Sequence, residues 1–374
     1  MLTARERILA TLRGEPVDRI AFAPRWDLWL NAARRDGRIP AEWRDLNLHG
    51  CTRRMGWGIK GKQGIVHREI QEGIEVRKQR EGTDSITEMI TPVGTITEIQ
   101  RLTPELVAWG ITTGRIVKPF ITEPKDYPPA IYVVEHTRVE PTYEQFLAYD
   151  AEIGADGIAF GKGGNSPIHR LMQDFTDYEG FYYQLADHPL LVQDLLAALE
   201  RLVAKVQEAV LASPALIVQY DSNYDDFLTP VPIYRRFFLP DFQSFSARLH
   251  AAGKYFATHA DGHHGQLLDL MGASGFDIAE AFTTPPMTRV GVAQARAVWG
   301  KRITIWGGLA SSMFSAFTSD EEFEAHVRQV LREAAPGDHF ILGTGDNVPT
   351  DAELPRLVRL TELVEELGTY PLQG

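Results

Sequence analysis

From about residue 124 onward the chain keeps one rhythm: a short apolar run, a polar loop, then an amphipathic helix. No other feature narrows the fold as much. Apolar runs stand at Gly157 to Phe160, Ala215 to Tyr220, Tyr255 to Ala257, Phe276 to Ala279, Arg302 to Trp306 and Asp338 to Leu342, with leucine-rich or otherwise periodic segments between them. Strands alternating with helices predict parallel strands joined by helical crossovers. The unusual polar sequences all follow strands, which is where a (β/α)8 barrel builds its active site. The predicted class is therefore α/β, a TIM-type (β/α)8 barrel, in preference to an open doubly wound sheet.

The N-terminal part departs from this rhythm. Thr3 and Glu6 have capping-box spacing, Ile8, Leu9 and Leu12 share a helix face, and Gly14 is the stop signal. Arg19 to Pro24 is the first strand candidate. Residues 64–100 alternate apolar and polar positions between glycines, which predicts two or three antiparallel strands inserted into the main fold as a lid or a wall. The expected organisation is one domain, 1–374, with a helical start and this 64–100 insertion.

A formal charge of −12 argues against nucleic acid or an anionic membrane as a general partner. Cys51 is the single cysteine, so neither an internal disulfide nor a thiolate-rich metal site is available. With no long apolar run and a charged amphipathic start, a soluble cytoplasmic protein is expected.

The chemistry-bearing residues gather after the strands. His259 and Asp261 are two apart at a strand end, so an extended backbone aims both to one side. Glu280 ends the next strand in this reading, and Asp346 follows the last. In a closed barrel these groups could converge into a site for zinc or another divalent cation. Two other readings stay open: Asp261 as N-cap of a helix starting near His263, and His259 as an interior histidine. His263 and His264, in the first turn of that helix, are expected to face substrate or solvent. After the Ala215 to Tyr220 run come Asp221, Asn223, Tyr224, Asp225 and Asp226. Asp221 is a candidate proton donor or a turn residue. Lys162, within a glycine-rich segment, is a candidate anion contact or a solvated surface charge. Arg25 and Trp26 follow the first strand, where Trp26 either stacks on a planar ligand or packs in the core.

These residues resemble a known family. TARERILATLRGEPVDRIAFAP at the start, the Pro232 to Pro240 segment, AAGK followed by H-x-D-G, DIAEAFTTPP, IWGGL and the final GTGDNVP are similar, in order and spacing, to the uroporphyrinogen decarboxylase superfamily. The resemblance implies a (β/α)8 barrel and two functional branches. One decarboxylates uroporphyrinogen without a cofactor and grips propionates with an arginine-bearing segment after the first strand. Here that place reads RWDLWLNAARRDGRIPAEWR, with Arg25 as the one counterpart and a mouth read as acidic. The other branch contains zinc-dependent methyltransferases linked to corrinoid proteins. Its thiol-methylating members hold the metal by H-x-C and a later cysteine. His259 matches the histidine, and Asp261 and Asp346 stand where the cysteines would be. Hard oxygen ligands in place of thiolates leave a more electrophilic metal.

The expectation is thus a zinc-dependent methyltransferase of the O-demethylase type. It would move a methyl group from a small donor, such as a methoxylated aromatic compound, to the cobalt of a partner corrinoid protein. His259, Asp261 and Asp346 are the expected ligands. Asp221, Glu280 and His259 are the expected catalytic groups, and Arg25, Trp26, Asn223 and Tyr224 the expected substrate contacts. A homodimer is admitted. A cofactor-free decarboxylase or lyase acting on a carboxylated substrate is the alternative, with Asp221, Asp261 and His259 as proton donors and Arg25 and Lys162 as carboxylate contacts.

Overall fold

The computed structural model of the chain describes residues 1–109, 111–221 and 223–373. In chain order the strands are β1 (Ala21–Phe22), β2 (Ile59–Gly64), β3 (His67–Gln71), β4 (Glu75–Glu81), β5 (Asp84–Thr91), β6 (Gly94–Arg101), β7 (Arg115–Lys118), β8 (Thr137–Pro141), β9 (Gly157–Lys162), β10 (Ile217–Tyr220), β11 (Tyr255–His259), β12 (Ile278–Phe282), β13 (Thr304–Leu309) and β14 (Phe340–Thr344).

Two compact units emerge. The first comprises Met1–Gly64, Glu144–Lys162 and Pro214–Gly374; the second comprises Ile65–Tyr143 and Gly163–Ser213. The first contains a curled, eight-stranded parallel sheet in the order β1-β14-β13-β12-β11-β10-β9-β2. Its two edges meet where the Gly58 N–H donates to the Phe22 carbonyl at 2.9 Å. The second holds two antiparallel sheets, β4-β5-β6-β7 and β3-β8. It also includes the helix Pro189–Leu211. The insertion therefore extends well past residue 100, because the partner of β3 lies some seventy positions later in the chain, at Thr137–Pro141. Among the described residues no helix is long and apolar enough to cross a membrane.

Helix α1 (Ala4–Arg13) begins with the predicted capping box. Thr3 accepts from the Glu6 N–H at 3.2 Å, and Glu6 accepts from the Thr3 N–H at 2.8 Å. Gly14 ends the helix in the left-handed region at φ 68°.

What positions the site is the two-residue period of the strands. Ala21, Ala23, Ile158, Phe160, Ile217, Ala257, Ile278, Trp306 and Ile341 form one buried apolar cluster, which Ile8 and Leu12 of α1 complete. Moving two residues towards the C-terminal strand ends replaces apolar by polar groups on the same side. Ile217 gives way to Gln219, Ala257 to His259, Ile278 to Glu280, Phe160 to Lys162 and Ala23 to Arg25. An apolar floor thus lies beneath a polar layer.

β2 reaches this sheet only because Gly157 lets it approach. A Cβ on Gly157 would sit 2.0 Å from the Ile59 carbonyl oxygen. Gly157→Ala is expected to force β2 away and lower stability by about 1–3 kcal/mol, as overpacking does. Urea denaturation measures this, and an unchanged midpoint would show that β2 yields without cost.

Candidate active site and metal centre

At the polar layer, β11 ends in His259, and Asp261 and Asp346 approach it from the loops after β11 and β14. His259 Nε2 is 3.5 Å from Asp261 Oδ2 and 3.9 Å from Asp346 Oδ1. One ligand atom from each of the three residues falls within 4.8 Å of the others. Such spacings suit a single ion, since ligands about 2 Å from zinc in tetrahedral array stand roughly 3.3 Å apart. The donor set fits a divalent cation on a second ground. His259 Nδ1 donates to Glu280 Oε2 at 2.7 Å, which leaves Nε2 as the ring atom facing the two carboxylates. A metal-bound histidine is commonly fixed in this way by a carboxylate behind it. One imidazole and two carboxylates also make three protein ligands, the number at which a catalytic zinc keeps a position open.

Glu280 is fully buried and is the hub of the layer. Its carboxylate takes an ion pair from Lys60, a hydrogen bond from Gln219 Nε2 at 2.6 Å, the His259 bond, and a longer contact from Lys62 Nζ at 3.5 Å. Burial alone would raise its pKa. The charges of Lys60, Lys62 and His259 outweigh that and hold it well below the usual carboxylate range. Burial likewise works against a charged His259, but the Glu280 charge and the hydrogen bonds that the imidazole donates to Asp261 and Glu280 carry the group up to about 9. A cation taking Nε2 displaces that proton.

The two other ligands are held from outside. Arg25 Nη1 donates to Asp346 Oδ1 at 2.8 Å, while its Nε donates to Asp27 Oδ1 at 2.8 Å. Asn223 Nδ2 donates to Asp261 Oδ2 at 3.2 Å. These residues line a cleft of about 740 Å³, shared with Lys60, Lys62, Gln63, Tyr149, Lys162 and Asp221. Asp221 is raised by burial. Glu280 adds to the rise, and Lys62, Lys162 and His259 oppose it.

Residues 123–367 match the uroporphyrinogen decarboxylase (URO-D) family. The chain belongs to that family. No curated protein matches the sequence. Among solved structures, a methyltransferase from Methanosarcina mazei is similar over 98% of this chain and 99% of that one, at 14% identity and a TM-score of 0.58. At that identity the likeness concerns the fold.

Within this member of the uroporphyrinogen decarboxylase family, several expectations need correction. Glu280 does not end a strand. It lies inside β12, just before Ala281, whose φ of 59° marks a bulge against β13. Asp261 caps no helix, because the next helix starts only at Leu268. For the same reason His263 and His264 are not in a first helical turn. His264 is 1% exposed, its Nε2–H donates to the Tyr224 carbonyl at 2.9 Å, and burial pushes it down to about 4, so it is neutral and faces neither substrate nor solvent. Tyr224 is 1% exposed among Tyr234, Phe238, Phe242 and His264, away from the cleft. Trp26 borders the cleft but is 2% exposed. It stacks on Trp29 at 5.5 Å and spends its N–H on Thr52, so it forms the wall and offers no free face for a ligand. Asp225 and Asp226 are turn residues that accept from the backbone of Phe227, Leu228 and Gln266.

The mouth is not simply acidic either. Arg25, Lys60, Lys62 and Lys162 interleave with its carboxylates. Lys60, Lys62 and Gln219 escaped the sequence reading. The signal that could have found β2 was the alternation of Lys60 and Lys62 between glycines in IKGKQG.

Proposed function

We propose that this chain is a metal-dependent methyltransferase of the closed (β/α)8 barrel type. It moves a methyl group from a small donor, a methoxylated aromatic compound being the type that suits the site, to the cobalt of a partner corrinoid protein. The observation that carries this reading is the convergence of His259, Asp261 and Asp346 with the far side of the imidazole locked by Glu280. The similarity to a methyltransferase over nearly the whole chain agrees with it. A zinc ion held by these three residues would supply a Lewis acid at the heteroatom that the methyl group leaves.

The remaining work falls to side chains. Glu280 keeps the His259 tautomer, and Arg25 and Asn223 hold the two aspartates in place. Asp221 retains its proton to higher pH than an ordinary carboxyl group, so it can donate to the departing alkoxide or phenoxide oxygen. An oxygen leaving group needs that neutralisation.

Full-length protein loaded with zinc is expected to convert cob(I)alamin to methylcobalamin when methoxylated aromatic compounds are supplied, as followed by absorbance. Transfer that is equally fast without zinc and in Asp346→Ala would remove the metal from the reading. Absence of transfer with every donor would remove the methyltransferase itself.

One set of observations favours a second reading. Lys62, Lys162, Arg25 and a proton-holding Asp221 in one cleft also suit a cofactor-free decarboxylase acting on a carboxylated substrate. Release of carbon dioxide from porphyrinogens under anoxia, without cobalamin, would decide for it.

A further inference from the structure

An outer strand of a sheet carries a row of unpaired N–H and C=O groups, and proteins usually blunt it with a bulge, a proline or a short length. In the sheet β4-β5-β6-β7 the outer strands are β4 and β7. β7 is four residues long, its register with β6 slips between Ile99 and Gln100, and Pro119 follows it at once. In the smaller sheet, β8 ends in Pro141, which has no N–H to offer. β4 has none of these features. Its seven residues, Glu75–Glu81, pair with β5 in an unbroken register from Glu75–Ile90 to Glu81–Asp84. They include no proline or glycine, and all seven are exposed.

The register says which main-chain groups are open. Gly82, at φ 60°, and Thr83 form a two-residue loop between β4 and β5. Such a loop closes on a hydrogen-bonded pair, here Glu81 and Asp84, and the pairs alternate from there. Glu81, Gln79, Arg77 and Glu75 therefore bond to β5, while Val76, Lys78 and Arg80 turn their N–H and C=O groups outward. The next hairpin agrees. Thr91 and Gly94 close another two-residue loop, so Thr87 and Met89 bond to β6 and leave Ile86, Glu88 and Ile90 for β4. The side chains of Val76, Lys78 and Arg80 share one face. Lys78 and Arg80 enter no ion pair among the described residues. Glu98 lies level with Lys78 on that face, but two strands away. Arg77, on the opposite face, is paired with Glu75 at 2.8 Å.

We infer that the free edge of β4 is a docking site for an extended acidic segment of a partner protein, which adds to the sheet as a fifth strand. Main-chain bonds to Val76, Lys78 and Arg80 hold the segment, and acidic side chains at every second position meet Lys78 and Arg80. Charge selects the occupant. A chain of formal net charge −12 places Arg77, Lys78 and Arg80 within four residues of one open strand. The same cations keep a second copy away. Antiparallel edge-to-edge pairing of two copies centred on Arg77, Lys78 or Gln79 sets Arg77 against Arg77, Lys78 against Lys78 or Lys78 against Arg80. Like charges directly opposite are destabilising, whereas a segment carrying glutamate or aspartate at those positions turns each clash into a pair. The inference is independent of the chemistry proposed for the cleft.

Titration of the full-length protein with capped seven-residue peptides tests this by fluorescence anisotropy. A peptide alternating glutamate and valine is expected to bind at least about tenfold more tightly than one alternating lysine and valine, and to weaken with added salt. The same acidic peptide, N-methylated at alternate residues on its pairing edge, keeps its charge but cannot pair, and should lose at least about tenfold. Lys78→Glu combined with Arg80→Glu should cost a similar factor. Val76→Pro removes one outward N–H without touching charge or the β4–β5 ladder, and should weaken binding as well. In the unaltered protein, amide exchange at Val76, Lys78 and Arg80 should slow when the acidic peptide is present, which needs no variant to fold. No binding of the acidic peptide at about 1 mM, or unchanged exchange at these three amides, would overturn the docking site. Equal binding of the N-methylated peptide would overturn strand addition. Equal binding of the lysine peptide, or unchanged affinity after the two charge reversals, would overturn the acidic assignment. So would self-association, seen by sedimentation, that Val76→Pro abolishes, because the occupant would then be a second copy.

Discussion

Zinc bound to the purified chain at about one ion per molecule is expected to fall to near zero in His259→Ala, with affinity reduced by more than about 100-fold. The expectation rests on the geometry around the imidazole. Nε2 is the sole nitrogen in the set and the atom that both aspartates face, at 3.5 and 3.9 Å. Without it two carboxylates remain, each already held by a neighbouring side chain, Asn223 or Arg25. The substitution leaves the fold intact in this account, because Glu280 keeps Lys60 and Gln219 as partners. Asp346→Asn should lower affinity less, since an amide oxygen can still ligate but brings no charge. Elemental analysis after dialysis against a known free zinc concentration, together with a zinc-edge anomalous signal, measures both. Full metal occupancy in His259→Ala would place the metal elsewhere or nowhere.

The second large effect concerns stability. Glu280→Gln keeps the shape and removes the charge, which leaves the buried Lys60 ammonium without its counter-ion. Breaking a buried pair from one side costs about 3–5 kcal/mol, mostly the desolvation of the group left behind. Lys60→Met added to Glu280→Gln should recover most of that loss. A double-mutant cycle by chemical denaturation separates the pair from the hub's other bonds. The pH dependence has a definite sign. Glu280 is lowered in the folded chain, against the opposing effect of burial, by Lys60, Lys62 and His259. Its contribution is therefore fully present above the ordinary glutamate value of about 4.3 and is lost as pH falls through the folded value. The stability gap between wild type and Glu280→Gln should accordingly be largest near neutral pH and close in acid. A gap of less than about 1 kcal/mol at neutral pH would mean that solvent reaches Lys60 and that the hub is not dry.

Much of the architecture was legible because the relevant signals are local. The capping box needs only Thr3 and Glu6. The parallel strands betray themselves by apolar runs that end in polar loops, and the His259–Asp261 spacing marks two polar side chains at one strand end, although β11 itself stops at His259. Asp346 could be added because it also follows a strand. What escaped depends on partners distant in sequence. β2 carries two lysines and a glutamine, so it does not look buried until Glu280, more than two hundred residues later, supplies the counter-charge for Lys60. Gln219 in IVQY reads as a strand residue facing either way, and only its bond to Glu280 turns it inward. Trp26 and Tyr224 were placed towards substrate on aromatic character alone, yet other aromatic rings occupy the space beside them. β3 looked like part of a local meander, whereas its partner β8 comes after four intervening strands.

The apolar floor under the polar layer has a kinetic consequence. Ile158, Ile217, Ala257, Ile278 and Ile341, with Ile8 and Leu12 of α1, fill the interior beneath the candidate ligands, so small molecules reach His259 from the side where the strands end. Under the methyl-transfer reading, donor and acceptor then share one approach. A donor seated beside His259 would have to arrive before the corrinoid protein covers it, and the demethylated product would leave after that protein has withdrawn. Traffic through the cleft becomes a compulsory sequence, with excess acceptor protein inhibiting by closing the route before the donor has entered.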